Sequence, residues 1–356
     1  MNRKTLPTLV ALMAALLTAA CHPDNPQPTD PPVADADRIA YVLSEGQWGM
    51  NNAEITLIDL ATGKVLTDFT EANRRGLGDI AQDLQHYGGK LYCTVWNSNT
   101  LEVIDPSDGK SIRQIDFGSR GPRFMACHDG KVYVSCYDKS VVRIDTATLA
   151  IDATCPLGGM LPEQLAFVGD RLVVCNSWQY AADGATMLYD STLSVVDCTE
   201  GHFAEVQRIA VGVNPTRICA VDGHRCVVYC NGNYGDAPAQ TLLFDIATLQ
   251  RTPLPHNATG MTLHDGALYH YSTDYDSLWR PVARFYRTDL ATLLSEPILT
   301  ATALPYAYGI GVDPATGDIL VCNSPYNATG DVYCYTPDGS LRWRAEAGMF
   351  CQKVTF

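Results

Sequence analysis

Apolar residues in this chain fall in short runs separated by polar turns, without the long three-to-four-residue periodicity of an amphipathic helix. A representative unit starts with the run Arg123 to Cys127, turns at Asp129-Gly130 and continues with the run Lys131 to Cys136. A polar loop, a β-rich run that ends at Asp145 and a last, more polar run complete the unit. Because Asp-Gly pairs tolerate the positive φ angles of tight hairpins, we predict four antiparallel strands per unit, called A to D.

The end of strand C recurs as a phrase in which a β-rich run is followed by Asp and a turn. Successive aspartates of this phrase lie 40 to 52 residues apart, which is the length of a four-stranded propeller blade. The seven copies, of which the last lacks the Asp, are Leu57-Ile58-Asp59, Val103-Ile104-Asp105, Arg143-Ile144-Asp145, Val195-Val196-Asp197, Leu243-Phe244-Asp245, Arg287-Thr288-Asp289 and Tyr333-Cys334-Tyr335-Thr336. The repeat therefore predicts an all-β, seven-bladed β-propeller.

The two ends of the repeat region complement each other. The first run, Ile39 to Leu43, has the pattern of a strand B without a strand A before it, and the last run, Gln352 to Phe356, has the pattern of a strand A without a strand B after it. In a ring the last strand completes the first blade and removes an open edge, whereas a linear solenoid needs capping repeats. We therefore predict a propeller over residues 38–356 that is closed by its C-terminal strand.

The N-terminal region has the pattern of an export signal. Asn2-Arg3-Lys4 is basic, and the stretch from Leu9 to Ala20 is apolar and ends in small residues directly before Cys21. This predicts a signal peptide over residues 1–20, which is too short to span a bilayer, with lipidation at Cys21. Residues 21–37 are rich in Pro and Asp and predict an extended, lipidated tether. The alternative is ordinary signal cleavage, with no role for Cys21.

The charge balance bears on the class of partner. The chain has 25 Lys and Arg against 39 Asp and Glu, a formal net charge of -14, and no basic run. Nucleic-acid binding depends on neutralising phosphates, so nucleic acid is not expected as a partner. An anionic membrane surface is disfavoured for the same reason, and membrane attachment is expected through the lipid anchor only.

Cysteine use points to packing more than to bridges. Five of the 13 cysteines occupy similar places at the ends of apolar strands, where Cys acts as a small hydrophobic residue: Cys93, Cys136, Cys175, Cys230 and Cys322. The best candidate for a disulfide is Cys219 with Cys226, across the Asp222-Gly223 turn. No cysteine pair has the spacing of a zinc site, so no metal is expected.

Aromatic residues concentrate in the loops between strands B and C, which all emerge on one face of a propeller. Large apolar side chains gathered on one face mark an interaction site. The candidate ligand-binding aromatics are Trp48, Trp96, Tyr137, Trp178, Tyr180, Tyr234, Tyr275, Trp279 and Tyr326. The alternative is that some of these rings are wedged between blades.

Polar residues recur on the same face. Asn97, Asn176, Asn231 and Asn323 each come at or just after the end of strand B, where an amide either caps the strand end or contacts a ligand. The loops that lead into strand A also emerge there, and they carry Arg75, Asp79, Arg123, Glu163 and Arg217. We expect these charged side chains to point towards the central channel. Of the five, Arg75, Arg123 and Glu163 complete the candidate ligand-binding set.

Catalytic motifs are not apparent. The chain has neither a Gly-x-Ser-x-Gly elbow nor a glycine-rich phosphate loop, and no His pairs with a Cys or an acid at metal-ligand spacing. We therefore expect a binding protein without a catalytic cofactor and not an enzyme. Two alternatives stay open: an adhesin or scaffold that binds a glycan or a protein, and a propeller lactonase or lyase.

Over nearly the whole mature chain, the repeats resemble the YVTN/YncE-type repeat proteins. The stretches Gly78 to Asp83, Asn97 to Asp105, Lys131 to Asp138, Asn233 to Asp236 and Gly330 to Tyr333 resemble a family of Bacteroidetes surface lipoproteins, the BtuG-like propellers. The last loop departs from that family, since Met349-Phe350-Cys351 replaces an Asn-Pro-Gly-like ending.

The resemblance implies a lipid-anchored protein on the cell surface, in the outer membrane. It implies that the ligand is cobalamin or a related corrinoid and that the protein passes this ligand to a TonB-dependent outer-membrane transporter. A cup lined with Trp, Tyr and Asn is chemically suited to a broad, flat ligand fringed with amides.

Overall fold

The computed structural model describes residues 38–356. The predicted signal peptide, the tether and the lipidation site Cys21 lie outside the described residues. Within them, seven four-stranded antiparallel sheets form the blades of a β-propeller, which confirms the predicted fold class. A single helical segment, α1 (Phe69–Asn73), follows the first blade, with the Asp68 side chain accepting a hydrogen bond from the Glu71 N–H at 2.7 Å as its N-cap.

Each blade runs from strand A beside the central channel to strand D at the outside, and the first four blades are these. Blade 1 contains β30 (Cys351–Thr355), β1 (Ile39–Ser44), β2 (Glu54–Asp59) and β3 (Val65–Asp68). Blade 2 contains β4 (Ala81–Tyr87), β5 (Lys90–Val95), β6 (Thr100–Ile104) and β7 (Ser111–Asp116). Blade 3 contains β8 (Pro122–His128), β9 (Lys131–Cys136), β10 (Ser140–Asp145) and β11 (Ala150–Pro156). Blade 4 contains β12 (Pro162–Val168), β13 (Arg171–Asn176), β16 (Thr192–Asp197) and β17 (Ala204–Ala210).

The remaining blades repeat this order. Blade 5 contains β18 (Pro215–Ala220), β19 (Arg225–Cys230), β20 (Gln240–Asp245) and β21 (Arg251–Pro253). Blade 6 contains β22 (Gly260–His264), β23 (Ala267–Tyr275), β24 (Pro281–Asp289) and β25 (Ser295–Ile298). Blade 7 contains β26 (Ala307–Val312), β27 (Ile319–Asn323), β28 (Thr329–Tyr335) and β29 (Leu341–Met349). The B–C loop of blade 4 forms an extra hairpin, β14 (Trp178–Tyr180) and β15 (Met187–Tyr189).

The ring is closed as the sequence predicted. Strand β30 pairs antiparallel with β1, with Tyr41 opposite Thr355 and Leu43 opposite Lys353. The last and first blades are also joined at the outside, where the indole N–H of Trp343 donates to the carbonyl of Leu60 at 2.8 Å. The last strand thus occupies the inner position that the first blade lacks, and β1 does not remain an open edge.

The repeated Asp of blades 1 to 6 holds the turn between strands C and D. The Asp245 carboxylate accepts from the N–H groups of Ala247 and Thr248 at 2.9 and 2.8 Å, and Asp289 repeats this arrangement. Hydrogen bonds from the Thr199 N–H and the Arg171 side chain lower the pKa of Asp197 to about 2. The repeated aspartates therefore have the turn-capping role that the sequence indicated, and they are not a ligand cluster.

The core consists of apolar layers between neighbouring blades. One such layer joins Tyr92 and Leu101 of blade 2 to Met125 and Val132 of blade 3. Five cysteines at strand ends are all buried and form no disulfide, as predicted: Cys93, Cys136, Cys175, Cys230 and Cys322. A small thiol at these places fills the layer without a polar cost.

The prediction of a Cys219–Cys226 disulfide is wrong, since both cysteines are free. Cys219 lies opposite Val227, and Cys226 lies opposite Ala220, so the two cysteines occupy adjacent rungs of one strand pair. Side chains on adjacent rungs point to opposite faces of a sheet, which prevents a bond between them. Burial raises the pKa of the Cys226 thiol to about 12.

Candidate functional site

The B–C loops and the loops into strand A meet on one face of the ring, around a cavity of about 370 Å³ that we call the bowl. A second cavity of about 240 Å³ lies along strand A of all seven blades, and it shares Gln82, Phe124, Arg217, Tyr308 and Gln352 with the bowl. The bowl is therefore the mouth of the central channel. Its wall includes Glu45, Trp48, Trp96, Arg123, Glu163, Arg217, Asn231 and Tyr308.

Three aromatic rings from consecutive blades lie together on one side of the bowl. The ring centroids of Trp48 and Trp96 are 5.1 Å apart, and those of Trp96 and Tyr137 are 5.8 Å apart in an edge-to-face arrangement. Trp48 is 65% exposed, whereas Trp96 is partly buried. The structure thus brings together three of the predicted aromatics, and it leaves one large ring surface open.

A buried ion pair lies beneath these rings. The Arg123 guanidinium donates to both oxygens of Glu163 at 3.1 and 2.9 Å and also to the side-chain carbonyl of Gln82, while the Tyr137 hydroxyl donates to Glu163. The guanidinium carbon of Arg123 is 4.6 Å from the Tyr137 ring centroid and 5.4 Å from that of Trp96.

The electrostatics of this pair follow from its burial. Burial opposes the charge of Arg123, but Glu163, Tyr137 and Glu45 together outweigh that effect and raise the pKa of Arg123 above its ordinary value. Burial also raises the pKa of Tyr137 well above its usual range, so the phenol stays neutral and acts as a donor. We call Trp48, Trp96, Arg123, Tyr137 and Glu163 the packed cluster, because each member fixes the position of another.

Asp79 connects the packed cluster to the backbone. Its carboxylate accepts from the Gly49 N–H at 3.1 and 3.0 Å, which holds the turn that follows Trp48. The predicted candidate Asn97 donates its amide to the same carboxylate at 2.6 Å. Asn97 thus acts on the bowl through Asp79, and the turn carrying Trp48 is fixed by blade 2.

Two of the four predicted asparagines lie inside blades. Asn176 is fully buried and donates to the hydroxyls of Thr192 and Ser194, each at 2.9 Å. The side-chain oxygen of Asn323 accepts from the Tyr306 N–H at 3.1 Å. Both amides are engaged within the protein, which is the local structural role left open by the sequence, and neither lines the bowl, so we remove both residues from the binding set.

Asn231 is the asparagine that lines the bowl directly. Its amide nitrogen donates to the Tyr234 hydroxyl at 2.6 Å, and its oxygen accepts from the Tyr229 hydroxyl at 3.0 Å. The amide is therefore oriented by two phenols at the edge of the cavity.

We expected Arg75 to point towards the channel, but its side chain turns to partners within blade 2. Its guanidinium donates to the Glu102 carboxylate at 2.7 Å and to the Ser111 hydroxyl at 3.0 Å, and it lies 4.9 Å from the Phe69 ring. Because the Glu102 carboxylate is fully buried, it requires a cation nearby. Arg75 meets that need within blade 2, and we remove it from the binding set too.

The other predicted aromatics stand on the rim outside the bowl. Trp178 and Tyr180 pack edge to face at 5.1 Å on the extra hairpin, and Tyr275 and Trp279 lie 6.3 Å apart at the tip of the β23–β24 hairpin. Tyr234, Tyr326 and Trp279 are 78%, 75% and 82% exposed. We call this set, formed by residues of blades 4 to 7, the exposed rim.

Several residues at or near the bowl were not among the predicted site residues, and Glu45, Tyr308 and Phe350 are three that contact one another or the rim. The Tyr308 hydroxyl donates to the Glu45 carboxylate at 2.9 Å, and the Phe350 ring lies 6.2 Å from Tyr308 and 5.7 Å from Tyr326. Burial raises the pKa of Glu45, although the Tyr308 hydrogen bond lowers it in part. Glu45 was open to prediction, because it directly follows the strand B of blade 1.

The described part of the chain, residues 38–356, contains no cluster of three or more His, Cys, Asp or Glu side chains arranged to hold a metal ion. Among the same residues, no helix has the length and apolar character needed to cross a membrane.

Comparison with known proteins gives the fold alone. No family model matches the chain, and no curated protein matches it. The Neurospora crassa Pan2 WD40 domain is similar with a TM-score of 0.58 and 11% identity, covering 80% of this chain and 82% of that one. U3-55K covers 74% of this chain and 80% of its own, with a TM-score of 0.55 and 10% identity. The RRP9 WD40 repeats give a TM-score of 0.55 and 10% identity, with coverages of 74% and 78%.

This chain is a seven-bladed propeller with WD40-like structural neighbours. Propellers with this fold carry many unrelated functions, so the function has to be argued from the bowl.

Proposed function

We propose that this propeller is a cell-surface lipoprotein that captures cobalamin or a related corrinoid in its bowl and delivers it to a TonB-dependent outer-membrane transporter. The observation that carries the proposal is the packed cluster at the mouth of the channel, where the rings of Trp48, Trp96 and Tyr137 stand beside polar side chains. The propeller fold is consistent with a binding or scaffold role, and the proposed role is binding, not catalysis.

The chemistry of the bowl suits such a ligand. A corrinoid is broad and flat, and its edge carries amides that need both donors and acceptors. Rings offer apolar contact to its faces, and the amides of Gln82, Asn231 and Gln352 lie on the bowl wall. The bowl of about 370 Å³ takes only part of a molecule of this size, so the rest would project out of the bowl.

The energetic requirement is moderate. If the two rings that line the bowl, Trp48 and Trp96, each contributed about 2 kcal/mol as a hot spot, their sum of about 4 kcal/mol would correspond to a dissociation constant on the order of 1 mM. Tighter capture therefore requires the polar contacts and a site that is ordered before binding. The ion pair under the rings provides that order, since Trp96 and Tyr137 are already held against Arg123.

Calorimetric titration with cyanocobalamin tests the proposal. The wild-type protein is expected to bind, and Trp96→Ala is expected to bind at least thirtyfold more weakly. Leu249→Ala is a control at an exposed C–D turn on the opposite face, and it should bind as the wild type does. Absence of binding by the wild type, or equal affinity of all three proteins, would contradict corrinoid capture in the bowl.

The anchor is tested separately at Cys21, which lies outside the described residues. Lipid burial is the expected source of membrane attachment, so Cys21→Ala should move the protein from the membrane fraction to the soluble fraction. Retention of this variant in the membrane fraction would count against lipidation at this residue.

A scaffold role that binds another protein has one observation in its favour. Leu278 and Trp279, at the tip of the blade 6 hairpin, are among the most exposed apolar side chains of the described residues. Such a tip is suited to a protein partner and plays no part in the bowl. The two roles are compatible, because delivery to a transporter requires a protein contact in addition to the ligand site.

A further inference from the structure

The basic side chains of the channel differ in how their charges are balanced. Three of them line the bowl and the cavity beneath it: Arg123, Arg217 and Lys353. Arg123 is paired with Glu163, and Lys353 is paired with Asp83. Among the described residues, the Arg217 side chain has no partner in an ion pair or a hydrogen bond, so its guanidinium donors are available.

Arg217 lies where the bowl opens into the central channel. It is on β18, the strand A of blade 5, opposite Tyr229, and it lines both the bowl and the channel cavity. Its side chain is partly buried, but none of its nitrogens is a buried atom without a partner. An incoming anionic acceptor would therefore replace water at these donors and form the stronger, charge-assisted hydrogen bonds.

The surroundings of Arg217 are polar and include one carboxylate within electrostatic reach. Thr216, Asn231 and Thr259 line the same cavity and offer neutral hydrogen-bonding groups. The Glu45 carboxylate, which also lines the bowl, accepts from Tyr308, and the charge of Arg217 lowers its pKa in part, but the two groups form no direct ion pair. Glu163 is already engaged by Arg123 and Tyr137. A ligand group that reaches Arg217 thus finds a guanidinium whose donors no described carboxylate occupies.

We propose that Arg217 is an anion-binding subsite that receives a phosphate or carboxylate group of the molecule that the bowl holds. A guanidinium is a planar fork of donors that fits either group with two parallel hydrogen bonds. The identity of the whole ligand rests on the proposed function, but the subsite itself does not. For a corrinoid, the anionic group is the phosphodiester of the nucleotide loop.

Two corrinoids that differ in this group provide the test. Cyanocobalamin has the phosphodiester, whereas dicyanocobinamide lacks the nucleotide loop and with it the phosphodiester. Arg217→Met removes the charge and keeps much of the side-chain length. We expect calorimetry to show at least a tenfold loss of affinity for cyanocobalamin and less than a twofold change for dicyanocobinamide.

The matched control is Arg225→Met, which lies in the same blade at the A–B turn on the opposite face and is paired with Asp222. It should leave both affinities unchanged. Rising salt should weaken cyanocobalamin binding by the wild type and have much less effect on Arg217→Met. Equal losses for the two corrinoids, or no loss for cyanocobalamin, would overturn the subsite.

A second measurement separates this inference from the proposed function. If the wild-type protein binds neither corrinoid, the proposed function fails, and inorganic phosphate then tests the subsite alone. Thermal melting is followed in phosphate and in chloride at equal ionic strength. We expect a larger phosphate-dependent rise in the melting temperature for the wild type than for Arg217→Met, since general salting effects act on both. Identical rises would overturn the anion subsite.

Discussion

The packed cluster and the exposed rim are made of the same residue types, yet they are organised differently. In blades 1 to 3, Trp96 and Tyr137 are held against a buried ion pair, and the turn after Trp48 is tied to Asp79. In blades 4 to 7, Tyr234 and Trp279 project into solvent from longer loops. The difference shows that aromatic residues on one face do not by themselves make a site.

What separates the two regions is the charged residue beneath the rings. Arg123 reaches two rings and a carboxylate at once, so the rings of the packed cluster lose little freedom when a ligand arrives. The described residues of the exposed rim contain ring-to-ring contacts at 5.1 and 6.3 Å without such a bracing pair. We therefore expect changes in the packed cluster to affect both stability and affinity, and changes in the exposed rim to leave stability nearly unchanged and to act on binding, where they do, through the dissociation rate.

The largest effect is expected where the ring closes next to the packed cluster. Deleting residues 352–356 removes the rungs from Tyr41–Thr355 to Leu43–Lys353 and exposes the edge of β1. The melting temperature should fall steeply, with aggregation on heating, as followed by circular dichroism and light scattering. Phe356→Ala keeps those rungs and is the control. A truncated protein as stable as the wild type would contradict closure by β30.

The next largest effect is expected at the ion pair. Arg123→Leu leaves the buried Glu163 carboxylate without its cation, which should reduce the free energy of unfolding by about 3 kcal/mol or more. Urea unfolding measures this loss, and adding Glu163→Gln to the same protein should restore part of it.

The matched control for the ion pair is Arg120→Leu, because Arg120 pairs with Asp138 at the exposed surface of the same blade. Removing such a surface pair should cost less than about 1 kcal/mol. Similar losses for Arg123→Leu and Arg120→Leu would mean that the packed cluster is not braced by its charges.

A smaller effect is expected at two tryptophans that follow a strand B, Trp96 in the packed cluster and Trp178 in the exposed rim. Trp96→Ala removes a ring that contacts Trp48, Tyr137 and Arg123, so corrinoid affinity should fall about thirtyfold and stability should fall as well. Trp178→Ala changes the extra hairpin, whose ring contact is Tyr180, and it should mainly increase the dissociation rate. Stopped-flow and calorimetry separate the two. Equal changes in the dissociation rate of the two variants would mean that the packed cluster and the exposed rim do not differ in how they contact the ligand.

The fold was open to prediction from the sequence because a blade is encoded locally. The Asp of six C–D turns and the Asp-Gly pairs at three A–B turns, Asp129-Gly130, Asp222-Gly223 and Asp265-Gly266, are short-range signals that recur with the period of a blade. The closure of the ring follows from the two incomplete ends of the repeat region. The first blade lacks a strand A, and residues 352–356 form a strand A that has no strand B after it. The N-terminal predictions fall outside the described residues and stay predictions.

The site was open to prediction only in part. The loop order predicts which loops share the face that carries the bowl, but it does not predict side-chain direction, because that depends on partners distant in the sequence. Arg75 turns to the buried Glu102, and Asn176 turns to Thr192, which are contacts that sequence spacing does not encode. Phe350 lies near the bowl because the chain returns there at its end, a consequence of closure.

The smallest effect is expected at Trp279, the most exposed ring of the rim. Its turn is held by Asp276, whose carboxylate accepts from the N–H groups of Leu278 and Arg280 at 2.8 and 3.0 Å, so the indole has no part in that support. Trp279→Ala should therefore change the free energy of unfolding by no more than about 0.5 kcal/mol, as measured by urea unfolding. Corrinoid affinity should also stay unchanged, because Trp279 does not line the bowl. Leu278→Ala, on the same turn and 69% exposed, is the matched control and should behave in the same way. A loss of affinity in Trp279→Ala but not in Leu278→Ala would place the blade 6 hairpin over the bound ligand and make the exposed rim a part of the site.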